Sequence, residues 1–226
     1  MNQENYEFLT ENVFPKIGFK DDGINKMLKD KMETGADEIS FKILNQNKTE
    51  FEFKLALTED RYYLNAIKAT LPDKDGVAVS QEFKLFFQRG YSEVQMENLL
   101  GGRSVYTNIR KDGNLYQYWT KLDLRRQKED GNHREVREYN NSGKFNLIRE
   151  LSKIPMGSLS QDLKESVVQS LQNGNQESVL LNIKGTKEKA FIEASPHDGK
   201  ITIIDSKGKE IFLQKKRRKQ DSSIAG

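Results

Sequence analysis

His133 and His197 are the only imidazoles in the chain, and cysteine is absent. They are therefore the first place to look for acid–base or metal chemistry. Each sits in or beside a turn, His133 after Glu129-Asp130-Gly131-Asn132 and His197 within Pro196-His197-Asp198-Gly199. A metal centre needs several converging ligands, and neither histidine has another close in sequence. Glu193 near His197 has the residue type of an acid–base group, but Pro, Asp and Gly at 196–199 serve the backbone of a turn. Gly101-Gly102-Arg103-Ser104 lacks both the spacing and the Lys of a phosphate loop. No Gly-x-Ser-x-Gly elbow occurs. The acidic pairs Asp21-Asp22, Asp37-Glu38 and Glu59-Asp60 fall at expected element ends, where they cap or solvate. No cofactor and no metal is expected. A hydrolase or nuclease with dispersed carboxylates is the least favoured of three functional readings.

The second chemistry available is recognition of phosphate and base. Residues 103–137 carry nine Lys or Arg against five acids, a net of +4. Arg103, Lys121, Arg125, Arg126 and Arg134 are the candidate phosphate contacts, and Trp119 or Tyr118 the candidates to stack on bases. A further cationic run, Lys215, Lys216, Arg217, Arg218 and Lys219, follows the last expected strand. It leads into a polar terminus with no core-forming pattern, so residues 215–226 are expected to be a disordered tail.

The elements that must position these residues are readable from spacing. Residues 99–139 open with Gly101-Gly102 and contain two turn signals, Lys111-Asp112-Gly113-Asn114 and Glu129-Asp130-Gly131-Asn132. Asp-Gly between alternating runs is a strong hairpin cue, so a three-stranded antiparallel meander is expected. In its middle run Tyr116, Tyr118, Thr120, Leu122 and Leu124 share one face, and Gln117, Trp119, Lys121 and Asp123 the other.

Before the meander, a short helix over residues 5–14 is expected to pack Phe8 and Leu9 and to close at Pro15. A second helix over 23–33, capped by Asp21 or Asp22, carries Ile24, Met27, Leu28 and Met32 as one apolar stripe. Four alternating runs follow, around Phe41, Phe53, Ile67 and Phe83. In the third, Tyr63, Ile67, Ala69 and Leu71 are placed inward, with Tyr62 and Leu64 on the reverse side. The fourth extends to Phe87, after the turn at 72–76. A helix over 91–100, with Ser92 as cap, delivers the chain into the meander.

After the loop at 140–143, Phe145, Leu147, Ile148 and Leu151 have near-helical spacing. A helix over 161–172 follows, capped by Ser158 or Ser160. A last meander uses Val179, Leu181 and Ile183, then Ala190, Ile192 and Ala194, or Phe191 with Glu193 if the register is reversed, then Ile201 and Ile203, and ends on Ile211 and Leu213. Its first turn is Lys184-Gly185-Thr186-Lys187. The fold class expected is α+β, antiparallel β-meanders with helices packed on one face. Two lobes are expected: residues 1–90, a helix plus a four-stranded sheet, and residues 91–214, the helix and meander region.

Length and composition bound the rest. The 226 residues suffice for a substantial core, and 12 Phe with 8 Tyr offset a low mean hydropathy of −0.80. Without cysteine there are no disulfides and no thiolate chemistry, which suits a reducing cytoplasm. The opening MNQENYEFLTENVF has no charged-then-apolar pattern, so no signal peptide is expected. No window approaches a membrane span, so no membrane association is expected. Charge is polarised: residues 1–60 hold 13 acids and 8 bases, whereas 215–219 hold five bases.

Several segments together resemble an uncharacterised bacterial domain family. The matching residues are Leu99, Leu100, Gly102, Arg103, Val105 and Tyr106, then Trp119, Leu122 and Asp123. Further on they are Gly174, Asn175, Ser178 and Val179, then Phe191, Ile192, Glu193, Ala194, Pro196 and Asp205. Members of that family are typical of plasmids and conjugative elements of gut bacteria, beside topoisomerase-like or primase-like proteins. The resemblance implies a setting among mobile DNA and no mechanism. The leading expectation is thus a non-catalytic nucleic-acid-associated module whose partner is DNA or RNA. The alternative is a protein-interaction or scaffold module whose partner is a protein of the same mobile element.

Overall fold

The computed structural model describes residues 1–72, 78–85, 90–111, 113–139, 143–157, 160–183 and 186–212. The expectations for 73–76, Phe87, Asp112, 140–142, Ser158, Lys184-Gly185 and Leu213 lie outside the described residues, as do Lys215, Lys216, Arg217, Arg218 and Lys219. The described residues form an α+β fold of three antiparallel sheets with helices α1 to α5.

Helix α1 (Gln3–Phe8) runs through a π-turn into Pro15–Ile17 and buries Leu9, Val13 and Phe14. Phe8, expected to pack, is instead exposed, because only one side of this short helix meets the sheet. Helix α2 (Asp22–Met32) is capped by the Asp21 carboxylate, which accepts from Gly23 N at 2.7 Å. Its stripe buries Ile24, Leu28 and Met32 against strands β1 (Glu38–Leu44), β2 (Glu50–Thr58), β3 (Arg61–Leu71) and β4 (Val79–Lys84), which lie in sequence order. Phe53 is the hub, with the rings of Phe14, Phe19 and Phe41 centred 5.2, 4.8 and 5.0 Å away. Each such pair contributes about 0.5–1.5 kcal/mol beyond burial of its area.

The inward face of β3 departs from expectation. Tyr62 and Leu64 are buried and Tyr63 is exposed. The register passes from Lys54↔Ala66 to Leu55↔Leu64, leaving Asn65 as an extra residue. Such a bulge reverses the alternation phase, so Tyr62, Leu64, Ile67 and Ala69 all reach the core.

Helix α3 (Glu93–Leu100) begins with a capping box: Gln95 N donates to Ser92 Oγ, and Ser92 N donates to Gln95 Oε1. It buries Met96, Leu99 and Leu100 in the same core, while Val94 stays exposed. The middle sheet follows as β5 (Val105–Lys111), β6 (Asn114–Gln127) and β7 (His133–Tyr139), with β6 in the centre. Helices α4 (Leu147–Leu151) and α5 (Gln161–Gln172) lead to β8 (Glu177–Ile183), β9 (Thr186–Ser195) and β10 (Lys200–Asp205). Ala190, Ile192 and Ala194 point inward on β9.

There are two apolar clusters. The first extends through α3 to Val105 and Leu122; the second joins Trp119 and Phe145 to Leu171, Leu181, Ile192 and Ile203. The middle sheet therefore feeds both, one from each of its faces. Among the described residues no helix is long and apolar enough to cross a membrane.

Candidate functional site

The basic residues expected to meet phosphate lie at one end of the β6–β7 hairpin. Lys121 pairs with Val136 and Asp123 with Arg134 across the two strands, which puts Lys121 and Arg134 on the same sheet face. The register then shifts between Asp123 and Gln127, and this bulge carries Arg125 and Arg126. Arg125 N donates to Asp123 Oδ1 at 3.2 Å, which holds the bulge. Lys121, Arg125, Arg126, Lys128 and Arg134 are all exposed. None of the five forms an ion pair among the described residues.

The turn behind them is fixed. Asn132 N donates to Asp130 Oδ1 at 2.9 Å, and that bond holds the Asp130 carboxyl below its ordinary range. Asn132 Oδ1 accepts from Glu82 N and Gln81 Oε1 from His133 N, both at 2.7 Å. The basic hairpin is thus tied to the edge strand β4 of the first sheet.

Two candidates leave this surface. Trp119 is only 3% exposed. Its ring packs against Tyr106 at 5.3 Å and edge-on against Phe145 at 5.5 Å. Alternation correctly separates Trp119 from Tyr118, but both faces of the middle sheet are covered there, so this indole has no free face for a base. Arg103 is half-buried and its Nη2 donates to Asn98 Oδ1. Burial lowers its pKa, against the opposing pull of Glu193 and Glu97. Its guanidinium is engaged with Asn98, away from the exposed cations of the hairpin. Tyr118 is also largely covered, with the Arg137 guanidinium 4.9 Å above its ring.

Arg103 belongs to a polar joint that sequence reading missed. Buried Asn98 donates from Nδ2 to Asn173 O at 2.7 Å and to Asn175 Oδ1 at 2.8 Å. Gln95 Nε2 adds a bond to Asn173 Oδ1 at 3.2 Å. Gly174, at φ +84°, lies so close that a Cβ there would fall 2.9 Å from Asn98 Cβ and 3.1 Å from Ser104 O. The joint locks the end of α3 to the α5–β8 turn. The signal available was an Asn among Met96, Leu99 and Leu100, on a face that is otherwise apolar.

Among the described residues, the carboxylates of Glu93 and Glu97 are engaged in bonds that brace the fold. Glu97 Oε1 accepts from Asn45 and from Thr49, each at 2.7 Å, and Oε2 from Asn47 at 3.0 Å. Glu93 Oε1 accepts from Asn45 at 2.8 Å. These bonds brace the β1–β2 turn against α3, beside an open cleft of about 640 Å³. Among the described residues no three His, Asp or Glu are grouped as metal ligands. No protein-family model matches the chain, and no curated protein or solved structure is significantly similar to it.

Proposed function

We propose that the protein is a non-catalytic module that associates with nucleic acid, acting in the cytoplasm in the service of a bacterial mobile element. The observation that carries this reading is the set Lys121, Arg125, Arg126, Lys128 and Arg134: exposed, without ion-pair partners among the described residues, and held on a braced hairpin. Cations left unpaired on a rigid frame exchange water and counterions for phosphate at little ordering cost. The resemblance to a plasmid-borne family points the same way.

The test is binding of labelled oligonucleotides by the full chain across a salt series. Lys121→Gln, Arg125→Gln, Arg126→Gln and Arg134→Gln combined are expected to make the dependence of log K on log salt shallower by about 2–3 for single strands. A second variant neutralises Lys215, Lys216, Arg217, Arg218 and Lys219. If only this tail variant loses binding, the folded surface is not the site.

A second reading, a protein-interaction module, draws on the groove between α4 and α5. It measures about 800 Å³ and is lined by Leu151, Ile154, Met156 and Val168, with exposed Ile148 at its edge. Apolar surface of this kind marks partner sites. Capture of a specific protein partner lost on Ile148→Asp, with no oligonucleotide binding by the intact chain, would favour it.

A further inference from the structure

At the opposite end of β6 from the cations, the middle sheet carries an uncovered aromatic face. Tyr116 and Tyr118 are two residues apart on β6 and so lie on one face. Ile109 of β5 pairs with Tyr116, and Tyr139 of β7 pairs with Tyr118. All four side chains therefore share that face. The Tyr118 and Tyr139 rings are centred 5.5 Å apart.

The first sheet's lobe covers this face only up to Tyr118, where the buried Tyr91 hydroxyl donates to Thr120 Oγ1 at 3.2 Å. Beyond that limit Ile109 is 40%, Tyr116 39% and Tyr139 45% exposed. Arg137 is braced by Glu135 at 2.8 Å and sits over the Tyr118 ring, at the covered margin of the patch.

We infer that Tyr116 and Tyr139 form a stacking platform for unpaired bases, making the ligand single-stranded nucleic acid; this rests on the nucleic-acid reading above. Three features select that occupant. The exposed rings are tyrosines on a sheet face, and their π-faces accept any splayed base. A duplex keeps its bases stacked on one another and offers none to such a surface. Residues 105–139, which span this sheet, carry eight Lys or Arg against six acids, a net charge of +2, complementary to a polyanion. The platform has two exposed rings, so it holds two or so bases, while salt-dependent affinity comes from the cationic end of the hairpin, whose Lys121 and Arg134 lie on the opposite face of the sheet.

The test uses the full chain and labelled single-stranded and duplex oligonucleotides of equal length at one salt concentration. Wild type is expected to prefer the single strand. Tyr116→Ala and Tyr139→Ala are each expected to weaken single-strand binding about tenfold, with duplex binding and the salt slope unchanged. Tyr116→Phe and Tyr139→Phe are expected to retain wild-type affinity, since stacking needs the ring and not the hydroxyl. Unchanged single-strand affinity in both alanine variants overturns the inference, and so does equal loss in the phenylalanine variants. Either result leaves the cationic reading standing if the glutamine variant still flattens the salt slope, and assigns the aromatic face to a protein partner. Absence of binding by wild type at low salt overturns both.

Discussion

His197 sits in the turn between β9 and β10 with both ring nitrogens buried and without a partner at hydrogen-bond geometry among the described residues. It lies against the middle sheet, near the Val136 carbonyl, with Lys121, Glu138 and Asp198 as the charged groups around it. Burial is the largest influence and pushes its pKa below the ordinary 6.5; Lys121 adds to the shift and Glu138 opposes it. A base whose folded pKa is depressed binds its proton more readily when unfolded, so stability rises with pH. The contribution of His197 is full above about pH 6.5 and is lost as pH falls through that value toward the depressed one. We expect the wild-type unfolding midpoint to drop between about pH 7 and pH 5. In His197→Gln the drop should be smaller. Parallel pH profiles for the two proteins would show that the ring is not held neutral. The same packing logic governs Trp119: one face of a residue says nothing about what another part of the chain lays over it.

At the scale of elements, the β2–β3 hairpin stores a local strain. Its two-residue turn, Glu59-Asp60, has both residues at positive φ, 49° and 65°. Type I′ turns need this geometry and favour Asn-Gly, because L-residues with larger side chains meet a steric cost there. Asn2 Nδ2 donates to Asp60 O at 3.1 Å, a backbone contact that survives substitution, and to Asp60 Oδ2 at 3.3 Å, an exposed bond that Asp60→Gly removes. Glu59→Asn with Asp60→Gly is therefore expected to stabilise the protein by about 1 kcal/mol, read as a higher denaturant midpoint with an unchanged slope. Most elements were legible because their signals are local. Asp21, Ser92 and Ser160 cap the helices that their positions imply, and the Gly113 and Gly131 turns mark the middle meander. What escaped is non-local. The Asn65 bulge reverses one strand's phase. Trp119 and Thr120 are adjacent and both buried because the middle sheet is covered on two sides. Asn98 meets Asn173, 75 positions away. Of the candidate site, Lys121, Arg125, Arg126 and Arg134 reach the surface that alternation and turn chemistry imply. The proposed stacking residues are Tyr116 and Tyr139 in place of Trp119, a choice set by which half of the sheet is left bare.

At the scale of the molecule, the middle sheet decides whether the two apolar clusters behave as one. Val105 and Leu122 belong to the first cluster, and Trp119, on the opposite face of β6, to the second. Melting either cluster strips one face of β6 and leaves its remaining contacts to hold a strand that is central in its sheet. The Asn98–Asn173 joint adds a second tie, in which separation would expose satisfied buried amides. Coupled unfolding follows from these shared residues. The single Trp makes this measurable, since Trp119 emission reports the second cluster alone. Leu28→Ala removes a fully buried side chain of the first cluster and should cost about 2–5 kcal/mol. We expect it to lower the denaturant midpoint of Trp119 emission as much as that of far-UV circular dichroism. If Trp119 instead keeps its wild-type midpoint while part of the dichroism signal melts early, the clusters unfold separately. The cationic hairpin, tied to β4 on one side and built into the second cluster on the other, would then sit on a hinge rather than on a frame.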